Sequence, residues 1–530
     1  MIRTVEKQPK WILYILPLLV VGIIFLIKSF SFLPHDFANY YYGAYFLENG
    51  SFPKIIYDPT WFNQRIFEIQ EKVFASYAPN TPFLALFFVP FTLVSFSTAK
   101  IIFNAISLIL FLYALKNLFT TYKISNIHYV TVLFALLIPI KNNILFGQVY
   151  LLLFFLISEG YLAYKQEKKI KMGILWSIAI LLKVFPVILF GFLLFQKKFK
   201  SFFMLSLCTG VLLIISIYIN GFSSWLYFVE NILPKANRGE ISGEFFKGYQ
   251  SFLMLFKHLF IYNDIKNQNA IIHSPNLYYV FLMVSKLVII GYGFLITWHQ
   301  KSRLLKFSYW ILASYLLSPY GSSYSNILLI IPLVQLLKEE PQNYISILGV
   351  FTIFLICNFP FHYTYSFPLP FSFLKLFLYL LLWWFLFYRK VNVTKWHVGV
   401  LSLSLCISIL FLLPKTEKDI NPATNFLFKN DQHQALIYDY DIEKGVLSYK
   451  FWTLEGSQTK KANIDIENVD YDVNLHNNQI YYNDIKITDN PSKKRKPAII
   501  NKDTLIYLSD TQRGYGFYTL RKIILKTNTY

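Results

Sequence analysis

Residues 11–27 read WILYILPLLVVGIIFLI, a predominantly apolar run with no charged side chain. A helix of about 20 mostly apolar residues, within a range of roughly 17–25, spans the hydrocarbon core of a bilayer. Further runs of this kind follow at Ile101–Leu115, Val149–Tyr164, Phe202–Ile219 and Leu374–Tyr388. The sequence therefore predicts an all-α polytopic membrane protein with about ten membrane segments.

The composition and the placement of charge support the same fold class. Only 15% of the 530 residues are charged, whereas soluble domains carry about 25%. The net charge of +21 is also compatible with nucleic-acid binding, but the basic residues cluster in short loops between apolar runs, at Lys165–Lys171, Lys197–Lys200, Lys301–Lys306 and Arg389–Lys395. That distribution follows the positive-inside rule for cytoplasmic loops. We therefore expect the lipid bilayer as a partner and no nucleic acid.

Charge parity orders the first segments across the membrane. Basic residues precede the first run and no small-residue cleavage site follows it, so we expect a retained first helix and a cytoplasmic N-terminus. The chain then enters an outside loop, Pro34–Thr81. Parity requires that Phe83–Phe96, which is short and contains Pro90, forms a re-entrant or interfacial helix. The stretch Met172–Phe195 is predicted to be a hairpin bent at Lys183, because a lysine at membrane depth usually faces a polar cavity.

The remaining segments follow in the same way. His128–Ile140 is expected to cross outward into an outside loop, Lys141–Gln148, and a second long outside loop is predicted at Asn220–Pro275. Later crossings are predicted at Tyr278–Trp298, Phe307–Leu317, Asn326–Leu337, Tyr344–Cys357, Phe373–Tyr388 and Trp396–Leu413.

The tail differs in character, because apolar runs disappear after Pro414. Alternating segments predict strands at Ala435–Tyr440, Val446–Trp452, Gln479–Ile487, Thr504–Leu508 and Gly516–Ile524. We therefore expect two domains, a membrane domain over residues 1–414 and a small β-rich extracytoplasmic domain of unassigned role over residues 415–530.

One carboxylate stands where the first helix leaves the bilayer, in Pro34-His35-Asp36-Phe37. Asp36 could act as a general base that deprotonates an acceptor hydroxyl. Alternatively, it could cap a helix over Phe37–Leu47, since Asp is a favoured N-cap residue.

Several short motifs together resemble glycosyltransferase family 87, the polyprenyl-phosphate-mannose-type mannosyltransferases with the GT-C fold. They are Asp36-Phe37-x-x-Tyr40-Tyr41, Ile56-Tyr57-Asp58-Pro59, Tyr77-Ala78-Pro79-Asn80-Thr81-Pro82, Gly147-Gln148-Val149-Tyr150-Leu151-Leu152 and Lys183-Val184-Phe185-Pro186, with weaker echoes at Tyr249-Gln250-Ser251 and Ser318-Pro319. Each motif is weak alone, and their order over Asp36–Pro319 carries the resemblance.

The resemblance implies a GT-C-like helix bundle with its active site at the outer face. It implies a polyprenyl-phosphate donor carrying mannose or another hexose, and a glycan or glycolipid acceptor. Asp36 matches the family's catalytic aspartate and would be the base of an inverting transfer. A leaving phosphate needs positive charge nearby, and the candidates are Lys183, Arg238, Lys141 and Lys235. Candidates for contacting the sugar or the acceptor are Tyr40, Tyr41, Gln148, Gln250 and Tyr324.

Each of these assignments has a structural alternative. Lys183 could simply stabilise a helix bend, the loop cations could be solvated, and Gln148 could cap its helix. The tyrosines could belong to an interfacial aromatic belt. One departure bears on specificity: many family members carry a Trp and one or two His after Ser-Pro, whereas here Ser318-Pro319 is followed by YGSSYSN. Tyr324 or Asn326 could take that role, and the hexose is left open.

Two other classes of function remain, a transporter or flippase of a lipid-linked saccharide and a non-catalytic membrane scaffold. A transporter would show interrupted helices in both halves, and only one such hairpin is predicted. The tail shows no metal-ligand spacing, and we expect neither a metal ion nor another cofactor. The Lys-, Asn- and Ile-rich composition suits a bacterium with AT-rich DNA. We expect a multi-pass protein of its inner membrane.

Overall fold

The computed structural model describes residues 11–32, 36–50, 52, 54–70, 73, 75–241, 245–262, 267, 269–338, 344–387, 424–426, 437–443, 445–453, 456–464, 473–476, 479–489, 494–501, 503–509 and 518–525. The part up to residue 387 is helical, and the part from residue 424 onward forms β-strands. The predicted crossing Trp396–Leu413 and the predicted domain boundary at Pro414 lie outside the described residues.

The first half of the helical part contains ten of the described α-helices. They are α1 (Trp11–Ser31), α2 (Asp36–Glu48), α3 (Pro59–Phe67), α4 (Pro82–Phe88), α5 (Phe96–Tyr122), α6 (His128–Ala135), α7 (Leu137–Phe146), α8 (Tyr150–Lys165), α9 (Lys169–Leu182) and α10 (Ile188–Phe195). Short 3-10 turns lie between them at Lys54–Tyr57, Val89–Phe91 and Phe185–Val187.

The second half continues with nine more. They are α11 (Phe199–Asn220), α12 (Phe222–Tyr227), α13 (Leu233–Asn237), α14 (Phe252–Phe260), α15 (Pro275–His299), α16 (Arg303–Leu317), α17 (Ile330–Lys338), α18 (Tyr344–Asn358) and α19 (Leu374–Phe387). A π-helical turn covers Phe228–Ile232, and 3-10 turns cover Tyr324–Leu329, Phe361–Thr364 and Phe371–Phe373. The predicted outside loop Asn220–Pro275 thus contains several short helices.

Four of the described helices, α1, α5, α11 and α15, are long and apolar enough to cross a membrane, and α6 with α7 adds a fifth if the pair is one broken span. Only 11% of the apolar window of α11 is buried inside the protein. A helix that leaves so much apolar surface uncovered is typical of contact with lipid. Among the described residues, the predicted crossings Asn326–Leu337, Tyr344–Cys357 and Phe373–Tyr388 correspond to shorter apolar helices. These findings indicate a membrane protein.

The helix α4 has seven residues, a length of about 10 Å, and it leads into the turn Val89–Phe91. Such a segment is too short to span a bilayer. Asn220 stabilises the start of α4, because its side-chain Nδ2 donates a hydrogen bond to the carbonyl of Pro82 at 2.8 Å. The Thr81 hydroxyl also donates to the Leu181 carbonyl, which joins α4 to the end of α9.

The predicted crossing at His128–Ile140 is two helices, α6 and α7, bent by 64° at Leu136. Pro139 explains the break, because a proline has no N–H to donate to the carbonyl one turn earlier and its ring clashes there. Asn358 occupies the gap: its Nδ2 donates to the carbonyls of Phe134 and Ala135 at 3.1 and 2.8 Å, and its Oδ1 accepts from Ile138 N at 3.2 Å.

The predicted outside loop Lys141–Gln148 is wrong over most of its length, because α7 continues to Phe146. Apolar Ile144 and Leu145 are buried and prolong the helix. It ends at Gly147, whose φ of +69° gives the left-handed C-terminal cap that glycine favours. Lys141 is therefore a helix residue and not a loop residue.

The predicted hairpin at Met172–Phe195 is present as α9 and α10. Lys183 stands at the break, in an extended conformation after Leu182. The chain turns back at this break, so that the rings of Phe192 on α10 and Trp176 on α9 lie 6.1 Å apart.

The helix α8 lies between α5 and α9 and is buried along almost its whole length. A Cβ at Gly160 would come within 2.3 Å of the Trp176 ring, so this glycine allows α9 to pack closely. The Trp176 indole N–H donates to the Ile157 carbonyl at 3.1 Å. The helix α8 is thus a central element of the bundle, with the residues of the candidate site at its start.

The C-terminal part contains ten described strands in three antiparallel sheets, in the orders β1-β10-β9-β8, β2-β3-β4 and β5-β6-β7. They are β1 (Thr424–Phe426), β2 (Ile437–Glu443), β3 (Val446–Thr453), β4 (Gly456–Asn463), β5 (Val473–His476), β6 (Gln479–Tyr482), β7 (Ile485–Lys486), β8 (Lys494–Asn501), β9 (Thr504–Ser509) and β10 (Thr519–Ile524). Alternate residues of β9 enter two apolar clusters, Ile506 and Leu508 in one and Leu505 and Tyr507 in the other.

The prediction of one strand over Gln479–Ile487 is wrong, because this segment is a tight hairpin of β6 and β7. Asn483 and Asp484 form its turn, with φ values of +46° and +62°. Positive φ at both central residues matches the right-handed twist of a hairpin and is tolerated best by Asn, Asp and Gly.

Candidate active site

Asp36 is the first residue of α2, just after the membrane-length helix α1. A carboxylate in the first turn of a helix is favoured by the partial positive charge of the free N–H groups there. The helix α2 is buried on several sides and includes Phe37, Tyr40 and Ala44 in the main core. The predicted helix-terminus role of Asp36 is therefore compatible with its position, and the carboxylate is held on a packed element.

The Asp36 carboxylate interacts electrostatically with two lysines and three tyrosines that come from five different elements or breaks. Together with Asp36 they form what we call the Asp36 cluster: Tyr40, Lys100, Tyr150, Lys183 and Tyr324. The cluster thus combines one carboxylate with two ammonium groups and several phenols.

Lys183 reaches the cluster from the break between α9 and α10. Its Nζ donates to Asn80 Oδ1 at 2.8 Å and lies 5.5 Å from the centroid of the Tyr40 ring. Asn80 is held in turn, because its carbonyl accepts from the Tyr57 hydroxyl at 3.0 Å. The neutral amide of Asn80 does not cancel the charge of the ammonium, and the nearby Asp36 carboxylate is a charged group that interacts with it.

Tyr40 and Gln148 are joined by a buried hydrogen bond, in which the phenol donates to Gln148 Oε1 at 2.7 Å. Burial, and then the nearby Asp36 carboxylate, raise the pKa of Tyr40 well above its usual value. The phenol is therefore neutral and acts as a donor. Gln148 follows Gly147 directly, and a Cβ at Gly147 would lie 2.6 Å from the Cβ of Phe37. This close approach sets α7 against α2 and Gln148 beside Tyr40.

Tyr324 is brought to the cluster by two asparagines of α7. Asn142 Nδ2 donates to Ser323 Oγ at 2.8 Å, and Asn143 Nδ2 donates to the Tyr324 carbonyl at 2.8 Å. The Tyr324 ring lies 5.3 Å from the ring of Tyr150. The loop that lacks the Trp and His of the family motif therefore still supplies an aromatic residue next to Asp36.

Two residues predicted to contact the sugar or the acceptor have other partners. The Tyr41 hydroxyl donates to the Val94 carbonyl at 2.9 Å, and its ring packs against Phe96. Gln250 is buried, and its amide bonds to backbone groups of Lys247, Ser372 and Lys375. Gln250 thus joins a loop to the start of α19.

The other predicted phosphate-binding cations also lie apart from these contacts. Arg238 makes a bidentate pair with Glu240, with N–O distances of 2.5 and 3.0 Å. Lys235, on α13, is half-buried, as is Lys141 on α7. Among the residues that the structure describes, no hydrogen bond to the Lys141 ammonium is found.

Three members or partners of the cluster were not predicted as site residues, namely Lys100, Asn80 and Tyr150. Lys100 lies near the start of α5, is buried, and donates from Nζ to the Ser29 carbonyl at 3.1 Å. A lysine next to an apolar run is itself a functional signal, so Lys100 could have been found. Asn80 and Tyr150 stand inside quoted motifs, but nothing in the sequence pairs them with Lys183 or Asp36.

In the described part of the chain, no group of three His, Cys, Asp or Glu residues could hold a metal ion.

Comparison with known proteins identifies one family. The model of glycosyltransferase family 87 matches residues 78–319 of the chain. No curated protein and no solved structure matches the chain significantly. The matched segment contains Asn80, Lys100, Gln148, Tyr150 and Lys183, and the resemblance predicted from the motifs is confirmed.

Proposed function

We propose a specific reaction for this protein. The premise is that residues 78–319 belong to glycosyltransferase family 87, so that the protein is a glycosyltransferase of membrane type. It transfers mannose or another hexose from a polyprenyl-phosphate donor to a lipid-linked or cell-envelope glycan. The transfer inverts the anomeric carbon, and Asp36 is the general base.

The observation that carries this proposal is that Asp36 and Lys183, from separate elements of the fold, lie close enough to interact electrostatically. An inverting transfer needs a base on one side of the anomeric carbon and an electrostatic partner for the leaving group on the other. Asp36 and Lys183 are groups of these two kinds, within electrostatic reach of each other.

The bonds and charges of the reaction balance with these groups. The Asp36 carboxylate takes the proton of the acceptor hydroxyl as its oxygen forms a bond to the anomeric carbon. The bond from that carbon to the phosphate oxygen breaks, and its electron pair leaves with the polyprenyl phosphate. Lys183 stabilises the charge that develops on this phosphate, with Lys100 as a second cation. The proton on Asp36 then passes to solvent.

Gln148 and Tyr324 are suited to orienting the sugar or the acceptor, since an amide and a phenol both bond to sugar hydroxyls. Their rigid placement supports the role. Gln148 is held by Tyr40, and the backbone of Tyr324 is held by Asn143.

We place the protein in the inner membrane of a bacterium as a multi-pass protein, with a cytoplasmic N-terminus and an extracytoplasmic β-rich part. The Asp36 cluster then faces outward. The basic loops at Lys165–Lys171 and Lys197–Lys200 support this orientation through the positive-inside rule.

The test uses membranes that contain the full chain and a polyprenyl-phosphate hexose, and it measures released polyprenyl phosphate together with the glycosidic product. Asp36→Asn is expected to lower turnover about 1,000-fold, because an amide cannot accept the proton. Asp36→Glu is expected to recover part of the activity.

Asp58→Asn is the matched control. Asp58 is another carboxylate near α2, but it pairs with Arg495 and is expected to tolerate the change. Unchanged product formation in Asp36→Asn would contradict the assigned base. Movement of a lipid-linked saccharide across the membrane without a new glycosidic bond would favour a transporter instead.

A further inference from the structure

A cavity of about 310 Å³ lies far from the Asp36 cluster, between the last turns of α5 and α8 and the first turn of α9. The helix α5 runs between the two places, since Lys100 interacts with Asp36 and Asn117 lines the cavity. Seventeen residues separate these two positions, a rise of about 26 Å along a helix. That span is close to the thickness of a hydrocarbon core, about 30 Å. In the orientation proposed above, the cavity therefore lies at the membrane interface opposite Asp36.

A buried carboxylate, that of Glu159, stands in this cavity. The side chain is only 4% exposed. Its Oε1 accepts from Asn117 Nδ2 at 2.7 Å, and its Oε2 accepts from Lys171 Nζ at 3.0 Å. A carboxylate can accept about four hydrogen bonds. Two bonds therefore leave capacity for another donor that enters the cavity.

The rest of the cavity lining offers groups of the opposite kind. Lys168 and Thr120 are exposed, and Thr121 is half-buried. An ammonium and two hydroxyls can all donate to an anionic oxygen. The cavity thus combines a buried acceptor, the Glu159 carboxylate, with donors that are more exposed. This arrangement is complementary to a zwitterionic ligand whose cationic group enters first and whose anionic group stays near the opening.

Apolar surface flanks the cavity on both sides. On α5, exposed side chains recur at the spacing of one helix face, at Ile102, Ile106, Ile109 and Tyr113. On α9, Ile170 and Ile174 are also exposed, Ile170 at 63%. Tyr113 itself lines the cavity, so the apolar stripe on α5 runs directly into it. This arrangement suits a molecule with a polar head and apolar chains.

We propose that the cavity binds the phosphoethanolamine headgroup of an aminophospholipid from the leaflet opposite Asp36. The primary ammonium donates to Glu159. The phosphate accepts from Lys168 and the threonine hydroxyls, and the acyl chains lie along the exposed isoleucines. A choline headgroup has no N–H to donate, and a glycerol headgroup carries no cation, so both fit the buried carboxylate less well.

The full chain, purified in detergent and stripped of lipid, tests this proposal by native mass spectrometry with added phosphatidylethanolamine, phosphatidylcholine or phosphatidylglycerol of identical chains. We expect phosphatidylethanolamine to bind about tenfold more tightly than the other two, since a hydrogen bond between charged groups gives at least that ratio. Glu159→Gln is expected to remove this preference.

Glu167→Gln is the matched control, because Glu167 is exposed on the same basic loop and does not line the cavity. It is expected to keep the preference. Lys168→Met is expected to weaken phosphatidylethanolamine and phosphatidylcholine binding equally, since both lipids carry the phosphate. This second variant changes only an exposed side chain, so it remains informative if Glu159→Gln does not fold.

Several results would overturn the proposal. They are equal binding of the three lipids by the unaltered protein, stronger binding of phosphatidylglycerol, or an unchanged preference in Glu159→Gln. If Glu159 only joined α8 to α9, its substitution would lower thermal stability without altering the lipid preference. Asp36→Asn is expected to leave lipid binding intact, which separates this inference from the proposed reaction.

Discussion

The sequence indicated a polar environment for Lys183 but did not indicate which residues it contacts. A lysine between two apolar stretches predicts a polar environment inside the fold, and the structure gives it Asn80 Oδ1 at 2.8 Å. The partner could not be predicted, because the contact depends on how α4 packs against α9. The same holds for Tyr40 and Gln148, whose hydrogen bond joins two helices distant in sequence.

The role proposed for Lys183 predicts a large effect on turnover. Lys183→Met removes the ammonium while keeping an unbranched side chain, and we expect turnover to fall about 100-fold, as when one transition-state donor is removed elsewhere. Lys141→Met is the matched control on α7, and it is expected to stay near the unaltered rate. Equal losses in the two variants, measured as released polyprenyl phosphate, would refute a special role for Lys183.

Among the elements, helix ends were predictable where residues close in sequence determine them. Helix breaks were not predictable where side chains distant in sequence determine them. The predicted Tyr278–Trp298 corresponds to α15 (Pro275–His299), which starts with Ser274 as an N-cap and Pro275 at its first position. By contrast, the bend between α6 and α7 depends on Asn358, which stands more than two hundred residues later. A pattern of apolar residues does not contain that information.

The junction of α7 with α2 predicts a difference between two glycines. Gly147 and Gly50 have nearly equal φ values, +69° and +68°. A Cβ at Gly147 would lie 2.6 Å from Phe37 Cβ, whereas among the described residues, chain neighbours apart, no atom lies within 4 Å of a Cβ at Gly50. Gly147→Ala is therefore expected to destabilise the protein by about 1–3 kcal/mol more than Gly50→Ala. Thermal unfolding in detergent measures both, and equal losses would show that the packing constraint is absent.

The bend between α6 and α7 predicts a cost for removing Asn358. Asn358→Ala leaves the carbonyls of Phe134 and Ala135 without their side-chain donor, and we expect a loss of about 1–3 kcal/mol. Asn49→Ala changes the same residue type near the end of α2 and is expected to cost only a few tenths. A similar melting temperature for both variants would argue against the proposed role of Asn358.

At the scale of the whole molecule, the division into a helical part and a following strand-forming part was predictable from composition, since apolar runs end before the tail. Four of the five predicted strand segments contain one strand each, β2, β3, β9 and β10. The pairing order of the sheets was not predictable, because β1 pairs with β10 from the far end of the tail. Sequence distance carries no signal for such pairing.

The proposed orientation predicts which side of the membrane each end of the bundle faces. In a chain freed of its native cysteines, Glu48→Cys is expected to react with a membrane-impermeant thiol reagent in intact cells, because the proposed orientation has α2 on the outer side. Glu167→Cys, on the basic loop after α8, is expected to react only after permeabilisation. Both side chains are exposed, so the reverse labelling pattern would invert the proposed topology.

The ion pair between Arg495 and Asp58, at 2.9 Å, also has a consequence for the timing of synthesis. Its two residues are 437 positions apart, and a ribosome adding roughly 5–20 residues per second needs about 20–90 s to cover that distance. Throughout that interval the newly made Asp58 has no Arg495 to meet, while the helices between them are being inserted. The contact therefore forms only after Arg495 has been synthesised, and chains that stop before this residue lack the ion pair.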